Sequence, residues 1–420
     1  MKKVVLFFAL AVGLLTSATT MAQTVNMSSY ITLTVKSGEE IKLKFKAAAA
    51  GTPVKIVSGS RDTTFTVDND WMTHYVKYKS DGTTMTVYGT ITGFICDGNG
   101  TNLTAIDPSH NTQLTELWCE NNNLSSLNVS KNTQLTRLGC GGNILSSLDV
   151  SHNTQLTGLG CSSNTLTSLD VSKNTQLTKL DCYSNTLSSL DVSQNTQLTR
   201  LGCSNNRLSN LDVSHNTQLT SLSCSNNRLS NLDVSHNTQL TWLFCNNNNL
   251  SNLDISHNTQ LTWLYCHGNN FSTAALDDIY CTLPDRTGKG NGVIQPVYSD
   301  TSSNHAIVLA TNKANAIAKN WKVQYYKNDA DIPATTGSYE CGTPHTDIAE
   351  AAAEQALTLY PNPVADVLYL SATARTVRVY NIYGIEVAHA ADTDRVEVSH
   401  LPAGVYTVRA DGTVAKMVKR

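Results

Sequence analysis

Residues 114–134, LTELWCENNNLSSLNVSKNTQ, decide the fold, because near-copies of this stretch follow one another every 21 residues. The period is clearest in the cysteines, which fall at Cys119 and at each 21st residue after it up to Cys266. An earlier, degenerate copy begins at Ile91 and carries Cys96, so nine cysteine-bearing coils cover roughly residues 91–271. Self-similarity at a short fixed period predicts a solenoid of stacked coils.

In one short segment of each coil, successive side chains point alternately inward and outward, as they do in a β-strand. Leu117 and Cys119 are directed inward. One strand per coil stacks into a parallel sheet with about 4.8 Å between neighbours, and Leu124, Leu127 and Val129 close the core from the other side. The spacing matches the leucine-rich-repeat pattern, with cysteine at one leucine position. We therefore predict a mainly β fold: a leucine-rich-repeat solenoid with little helix, flanked by an N-terminal β domain and a C-terminal β-sandwich.

Two side chains recur once per coil and are predicted to form structural ladders. A buried asparagine at the turn out of the strand must satisfy its amide, and the backbone groups of adjacent coils can do so. The cysteine ladder consists of Cys96, Cys119, Cys140, Cys161, Cys182, Cys203, Cys224, Cys245 and Cys266. The asparagine ladder consists of Asn122, Asn143, Asn164, Asn185, Asn206, Asn227, Asn248 and Asn269.

Eleven cysteines would ordinarily suggest disulfides if the chain is exported. In-register strands, however, hold equivalent Cβ atoms about one strand spacing apart, whereas a disulfide needs them ~3.8 Å apart. A straight row of thiols cannot surround a tetrahedral zinc ion either. We expect free, buried ladder thiols without metal. Cys281 and Cys341 lie outside the ladder and could pair, which the sequence leaves open.

The outward strand positions carry the differences between coils. Residues 203–223 and 224–244 agree at 19 of 21 positions, and both differences introduce an aromatic residue at an outward position. An aromatic cluster on an exposed sheet is typical of a binding surface, although the C-terminal cap could instead cover it as ordinary core. Trp118, at the other end, is expected to pack against the N-terminal domain. The predicted ligand-binding residues of the concave face are Trp242, Phe244, Trp263, Tyr265, His267, Arg200 and Lys179.

Aspartate and histidine side chains recur at the turns on the far side of the coils and form two further columns. The aspartate carboxylates could bridge calcium, and the histidine imidazoles could bind a metal or sense pH. The alternative is an Asx turn repeated in every coil, and it is favoured because Lys131, Lys173 and Gln194 interrupt the imidazole column. No metal site is therefore predicted. The columns are Asp149, Asp170, Asp191, Asp212, Asp233 and Asp254, and His215, His236 and His257.

Composition and charge argue against nucleic-acid binding. The 420 residues contain 30 basic and 33 acidic side chains, and residues 91–281 contain seven basic against 13 acidic. The sequence has no nucleophile elbow, HExxH motif, paired-carboxylate cleft or phosphate-binding loop. We therefore expect a protein that is not an enzyme and needs no cofactor.

The chain divides into six predicted segments. Lys2 and Lys3, an apolar run and a small-residue cleavage site at residues 20–22 predict a signal peptide, and no later run is long enough to span a membrane. The segments are a signal peptide at 1–22, an N-terminal β-rich cap at 23–90, the solenoid at 91–271, an irregular last coil and cap at 272–344, a linker at 345–356 and a β-sandwich at 357–420.

Two resemblances to known families rest on these motifs. The cysteine-bearing coil resembles the internalin-J-like group of bacterial leucine-rich-repeat surface proteins, which implies adhesion, biofilm formation, host-cell contact or virulence. The terminal segment resembles the C-terminal sorting domain of the type IX secretion system, which implies export, removal of the domain and attachment to the outer surface of a Gram-negative cell. The second resemblance rests on PNP at 361–363, NIYG ending at Gly384, LPAGVY at 401–406, and Lys416, Lys419 and Arg420.

These observations predict a secreted surface adhesin whose concave sheet binds protein or glycan and contributes to attachment or biofilm formation. Its expected partners are a host or bacterial surface protein or glycan and, through residues 357–420, the secretion and sorting machinery. The alternative is a passive repeat stalk that displays a binding N-terminal β domain.

Overall fold

The computed structural model describes residues 24–343, 359–381, 385–410 and 413–420. The chain forms two compact units, which divide between Thr343 and Pro344. The predicted signal peptide, the predicted linker and Gly384 of the NIYG turn lie outside the described residues.

The N-terminal cap begins with alternating strands, because residues such as Ile31, Leu33 and Val35 point into the core while their neighbours face outward. Its strands are β1 (Tyr30–Val35), β2 (Glu40–Ala47), β3 (Thr52–Ser58), β4 (Arg61–Val67), β5 (Val76–Lys79) and β6 (Thr84–Tyr88). Together with β8 (Leu103–Asp107), from the first coil, four of them form an antiparallel sheet in the order β4-β3-β6-β1-β8.

The solenoid contributes one short strand per coil to a single sheet of 13 strands. Equivalent leucines pair in register, as Leu138 does with Leu159. The strands are β7 (Ile91–Ile95), β9 (Glu116–Trp118), β10 (Arg137–Gly139), β11 (Gly158–Gly160), β12 (Lys179–Asp181), β13 (Arg200–Gly202), β14 (Ser221–Ser223), β15 (Trp242–Phe244) and β16 (Trp263–Tyr265), followed by β17 (Gly292–Val297) and β18 (Trp321–Tyr325).

The N-terminal edge of this parallel sheet is covered by the cap. Strand β2 pairs antiparallel with β7, for example through Phe45 opposite Phe94. Both phenylalanines are fully buried in a core that runs without interruption from Ile31 in the cap to Ile332 beyond the last coil. An unpaired strand edge would otherwise invite association.

The predicted leucine-rich-repeat fold is confirmed, including the cysteine ladder. All nine ladder cysteines are buried and free. Burial raises the pKa of the Cys161, Cys203 and Cys266 thiols to about 12. The ladder side chains therefore stay protonated and fill the core as small apolar groups.

Each ladder asparagine connects two coils. The Nδ2 group of Asn206 donates to the carbonyls of Cys182 and Cys203, both at 3.1 Å, and its Oδ1 accepts from Leu187 N at 3.0 Å. The same pattern recurs from Asn143 to Asn269. The side chain thereby pairs backbone groups that the turn would leave unpaired.

A second asparagine ladder, which the sequence analysis missed, lies in the NTQ turn of each coil. Asn195, for example, is fully buried and donates to the carbonyls of Val171 at 3.0 Å and Asn174 at 2.9 Å. The signal was present in the sequence as the constant asparagine before Thr-Gln. The members are Asn111, Asn132, Asn153, Asn174, Asn195, Asn216, Asn237 and Asn258.

The residue two places after each cysteine of the regular coils adopts a left-handed backbone conformation. Glycine and asparagine tolerate it, as at Gly142 (φ 63°) and Asn205 (φ 55°), but Ser163 and Ser184 also occupy it at 53° and 54°. A left-handed backbone brings a Cβ atom too close to the following carbonyl oxygen. This strain explains why the position is occupied by asparagine, glycine or serine in the regular coils.

Replacing Ser184 by glycine is expected to stabilise the protein by about 0.5–1 kcal/mol, because it removes this strain. The matched control is Ser188→Gly in the same coil, where φ is not positive and the added freedom of the unfolded chain should destabilise. Urea unfolding of both variants measures the effect, and a Ser184→Gly variant no more stable than the parent would contradict it.

The solenoid ends in an irregular cap. Its helices are α1 (Thr273–Thr282), α2 (His305–Leu309) and α3 (Ala314–Ile317), and Ser272 caps α1 by accepting a hydrogen bond from Ala275 N. Leu276, Ile279 and Leu283 are buried against the last coil's core. Cys281 and Cys341 form a disulfide, which decides the question that the sequence left open.

The C-terminal unit is an antiparallel β-structure of five strands: β19 (Leu359–Tyr360), β20 (Val367–Tyr380), β21 (Glu386–Glu397), β22 (Gly404–Ala410) and β23 (Thr413–Lys419). The long strand β20 pairs with β19 through its first half and with β22 through its second, and its register with β21 shifts between Tyr369 and Ala374. Its own core includes Leu368 and Val408. Across the described ranges of both units, no helix combines the length and apolarity needed to cross a bilayer.

Candidate binding surface

The exposed face of the parallel sheet is built from three side-chain columns. Because the strands pair in register, each outward position lies directly beside its equivalent in the next coil. The first column is Glu116, Arg137, Gly158, Lys179, Arg200, Ser221, Trp242 and Trp263. The second is Trp118, Gly139, Gly160, Asp181, Gly202, Ser223, Phe244 and Tyr265. The third, after the cysteines, runs from Glu120 through Tyr183 to His267.

The four predicted aromatic residues lie together on the last coils. The rings of Phe244 and Tyr265 stack with centroids 4.5 Å apart, Trp242 lies 6.3 Å from Phe244, and Trp263 meets Tyr265 edge-on at 6.0 Å. Trp242 and Trp263 are 48% and 38% exposed. The cap therefore leaves both indoles open to solvent, contrary to the alternative of an ordinary core.

The cap extends this cluster with two tyrosines that the sequence analysis missed. Tyr326, just after β18, meets Tyr265 edge-on at 5.5 Å, and Tyr298, just after β17, lies 5.8 Å from Tyr326. Both are more than 40% exposed. The only signal in the sequence was that each follows a strand of the cap. We call Trp242, Phe244, Trp263, Tyr265, Tyr298 and Tyr326 the aromatic strip.

His267 departs from the prediction. Its ring lies 4.4 Å from that of Tyr326 and 5.8 Å from that of Tyr298, and only 1% of the residue is exposed. Burial lowers the pKa of His267 to about 4, so the imidazole is neutral at physiological pH. Its ring neighbours are the two cap tyrosines, and its burial places it beneath the exposed face of the strip.

A groove runs along the same face before the aromatic strip. At its N-terminal end the ring of Trp118 lies over Gly139, so close that a Cβ there would come within 2.4 Å of it. Trp118 thus packs onto the next coil and lines a cavity of about 550 Å³, which continues into a second of about 260 Å³ ending at Trp242. We call this the glycine groove. Its main lining residues are Trp118, Glu120, Arg137, Gly158, Gly160, Lys179, Asp181, Tyr183 and Arg200.

The groove carries charges of both signs. Arg200 Nε lies 3.4 Å from Asp181 Oδ1, so these two side chains neutralise each other. Arg137 and Lys179 are exposed, and neither side chain has a hydrogen bond or ion pair to another described residue. Burial and the nearby carboxylates of Asp97 and Asp181 raise the pKa of Glu120. Arg137 and Lys179 are therefore available to an anionic ligand.

The aspartate column forms Asx turns, as the favoured alternative predicted. Oδ1 of Asp149 accepts from Ser151 N at 2.9 Å, which holds the pKa of that carboxyl below its usual range, and the other five aspartates do the same. Among the described residues, no three His, Cys, Asp or Glu side chains are grouped to hold a metal ion.

Serine–histidine contacts on these turns do not form catalytic triads. Ser214 Oγ lies 3.2 Å from His215 Nδ1, and the pair recurs in other coils. The neighbouring Asp212 accepts from the Ser214 backbone N–H rather than orienting the imidazole. The contacts are a by-product of the repeated turn.

Comparisons with known proteins address both units. Residues 358–420 match the family model of the secretion system C-terminal sorting domain. The chain is similar to the functional domain of InlJ from Listeria monocytogenes, which includes a cysteine ladder, with 27% identity, a TM-score of 0.44, and coverage of 78% of this chain and 81% of that chain.

Two further solved structures show weaker similarity. A leucine-rich-repeat protein from Leptospira interrogans is 26% identical, with a TM-score of 0.40 over 42% of this chain and 48% of its own. An internalin, InlF, from Listeria monocytogenes is 18% identical, with a TM-score of 0.33 over 46% of this chain and 78% of its own. No curated protein matches the chain significantly. The terminal segment thus matches a sorting domain, as its motifs predicted.

Proposed function

We propose that this protein is a surface adhesin of a Gram-negative cell that holds a protein or glycan ligand on the exposed face of its repeat sheet. The match of residues 358–420 to a sorting domain supports export by the type IX system and attachment to the cell surface. The observation that carries the binding role is the aromatic strip, where two tryptophans stay exposed beside stacked rings. Exposed aromatic clusters of this size mark interaction sites far more often than inert surface.

The positions at which the coils differ in sequence from one another support the same role. The inward leucines and cysteines stay constant from coil to coil, whereas the outward columns vary from glycine to tryptophan. A scaffold that keeps its core and diversifies one face is suited to recognition of a ligand, and attachment or biofilm formation follows if that ligand lies on another surface.

The alternative of a stalk that displays the N-terminal β domain receives less support. Strand β2 pairs with β7 and shares one core with the coils, so the domain is a built-in cap. The N-terminal domain is thus joined to the coils through a shared sheet and core.

Replacing Trp242 and Trp263 together by alanine is expected to lower attachment at least ~10-fold, because centrally placed aromatic residues carry most of the binding energy of an interface. The measurement is adhesion of cells that display the full-length protein, with equal surface amounts verified by antibody. Ile144→Ala is the matched control, since Ile144 is also 48% exposed but lies outside the aromatic strip. Unchanged attachment in the double variant, with loss on substituting exposed cap residues such as Tyr75, would favour the stalk.

A further inference from the structure

The floor of the glycine groove is open at strand β11. Gly139, Gly158, Gly160 and Gly202 occupy outward positions of successive or near-successive strands. At Gly158 an added Cβ would find nothing closer than the Arg137 Cγ at 4.0 Å, so the space above it is open. At Gly160 the nearest atom would be Glu120 Oε1 at 3.6 Å, whereas the Trp118 ring covers Gly139 and the Asp181 carboxylate lies over Gly202. A ligand can therefore approach the sheet backbone closely at strand β11.

Aromatic rings recur along this groove at every third coil. Trp118, Tyr183 and Trp242 are each separated by a rise of roughly 14 Å along the solenoid at the usual strand spacing, and they belong to the second, third and first outward columns. All three line the groove. A linear chain of rigid rings, each about as long as the step between coils, can meet one platform after another with its flat apolar faces.

The charged groups suit a ligand that carries both hydroxyls and carboxylates. Arg137 and Lys179 lie two coils apart in the first column, about 10 Å, with Gly158 between them. Both are without a partner among the described residues. Glu120 and the Arg200–Asp181 pair add acceptors and donors on the floor. Unpaired cations at this spacing fit an anion on at least every second ring of such a chain.

An extended peptide fits less well. The strands below the groove already use their backbone groups to pair with each other, for example β11 with β12. A peptide lying across them would find few partners for its own N–H and C=O groups. Removing those unpaired backbone groups from water costs free energy. Rotatable sugar hydroxyls adapt more readily to the scattered side-chain donors and acceptors.

We propose that the glycine groove is a binding site for an acidic polysaccharide, with carboxylates on Arg137 and Lys179 and sugar rings on Trp118, Tyr183 and Trp242. The proposal rests on the adhesin function and specifies the ligand class and a site that begins well before the aromatic strip. The aromatic strip then continues the platform beyond the last ring in the groove.

The test is retention of the full-length protein on immobilised polygalacturonate, alginate and hyaluronan, with neutral dextran and poly-L-glutamate as references. At least one acidic polysaccharide should bind at least ~10-fold more tightly than either reference. Two variants should abolish this preference: Arg137→Ala with Lys179→Ala, which removes the cations, and Gly158→Leu, which fills the open floor without a backbone clash. Ile144→Ala is the neutral control, and circular dichroism verifies folding.

The outcomes separate this proposal from the adhesin function. Binding of poly-L-glutamate as tight as that of the polysaccharides would overturn it in favour of an acidic peptide. Loss of cell attachment on substituting Trp242 and Trp263, without any polysaccharide binding or any effect of Gly158→Leu, would overturn the groove proposal but keep the adhesin. Unchanged attachment in every variant, together with no preference for any acidic polysaccharide, would overturn both.

Discussion

Replacing Asn206 by alanine is expected to lower the free energy of unfolding by about 2–6 kcal/mol. The buried Leu187 N–H loses its partner, which costs about 1–3 kcal/mol. The carbonyls of Cys182 and Cys203 each lose one of two amide donors and keep Asn185 and Asn227, at about 0.5–1.5 kcal/mol each. Because coils stabilise only their neighbours, the damage at this central coil should separate the solenoid into two halves that unfold independently.

The measurement is urea unfolding followed by circular dichroism, with Asn210→Ala as the matched control. Asn210 belongs to the same coil but is exposed, and no hydrogen bond of its side chain to another described residue is present. The control should stay within about 0.5 kcal/mol of the parent. Equal stability of the two variants would show that the ladder amides do not hold the coils together.

Raising the pH is expected to unfold the solenoid cooperatively between about pH 9 and 12. The ordinary thiol pKa is 9.0, and burial raises the pKa to about 12 for Cys161, Cys203 and Cys266. Burial also raises the pKa of the other six ladder thiols. A pKa raised in the folded state gives stability that is complete below the unfolded pKa and is lost as the pH rises through the folded pKa. For Cys161, Cys203 and Cys266 each shift corresponds to about 4 kcal/mol, so together they are comparable with the whole stability of an ordinary domain.

Thiolate and tyrosinate absorbance, recorded with circular dichroism, distinguishes this mechanism from simple titration. All nine ladder thiols should ionise together with loss of β-structure, and the same thiols should resist alkylation at neutral pH until the protein is denatured. Ladder thiols that ionise near pH 9 in a folded protein would contradict the buried ladder.

Inward-facing features were predictable from the sequence in detail. The 21-residue period, the alternation of Leu117 with Cys119 and the turn asparagines each follow a local rule of strand or turn geometry, and repetition multiplies the evidence for that rule. The Asx turn at Asp149 was predictable for the same reason. The second asparagine ladder could have been predicted from the equally constant NTQ turn, because a repeated polar residue in a stacked turn has to be satisfied by its neighbours.

The binding surface was predictable only in part from the sequence. The order of residues alone determined which side chains face outward and that Trp242 and Trp263 lie side by side. Tertiary structure alone decided that the cap leaves them exposed, that Tyr326 covers His267, and that the glycine groove is open over Gly158. The physical reason is the sequence distance over which each property is set. The direction of a side chain on a strand depends on residues within one coil. Its exposure, and the open space above it, depend on how segments distant in the sequence pack around it.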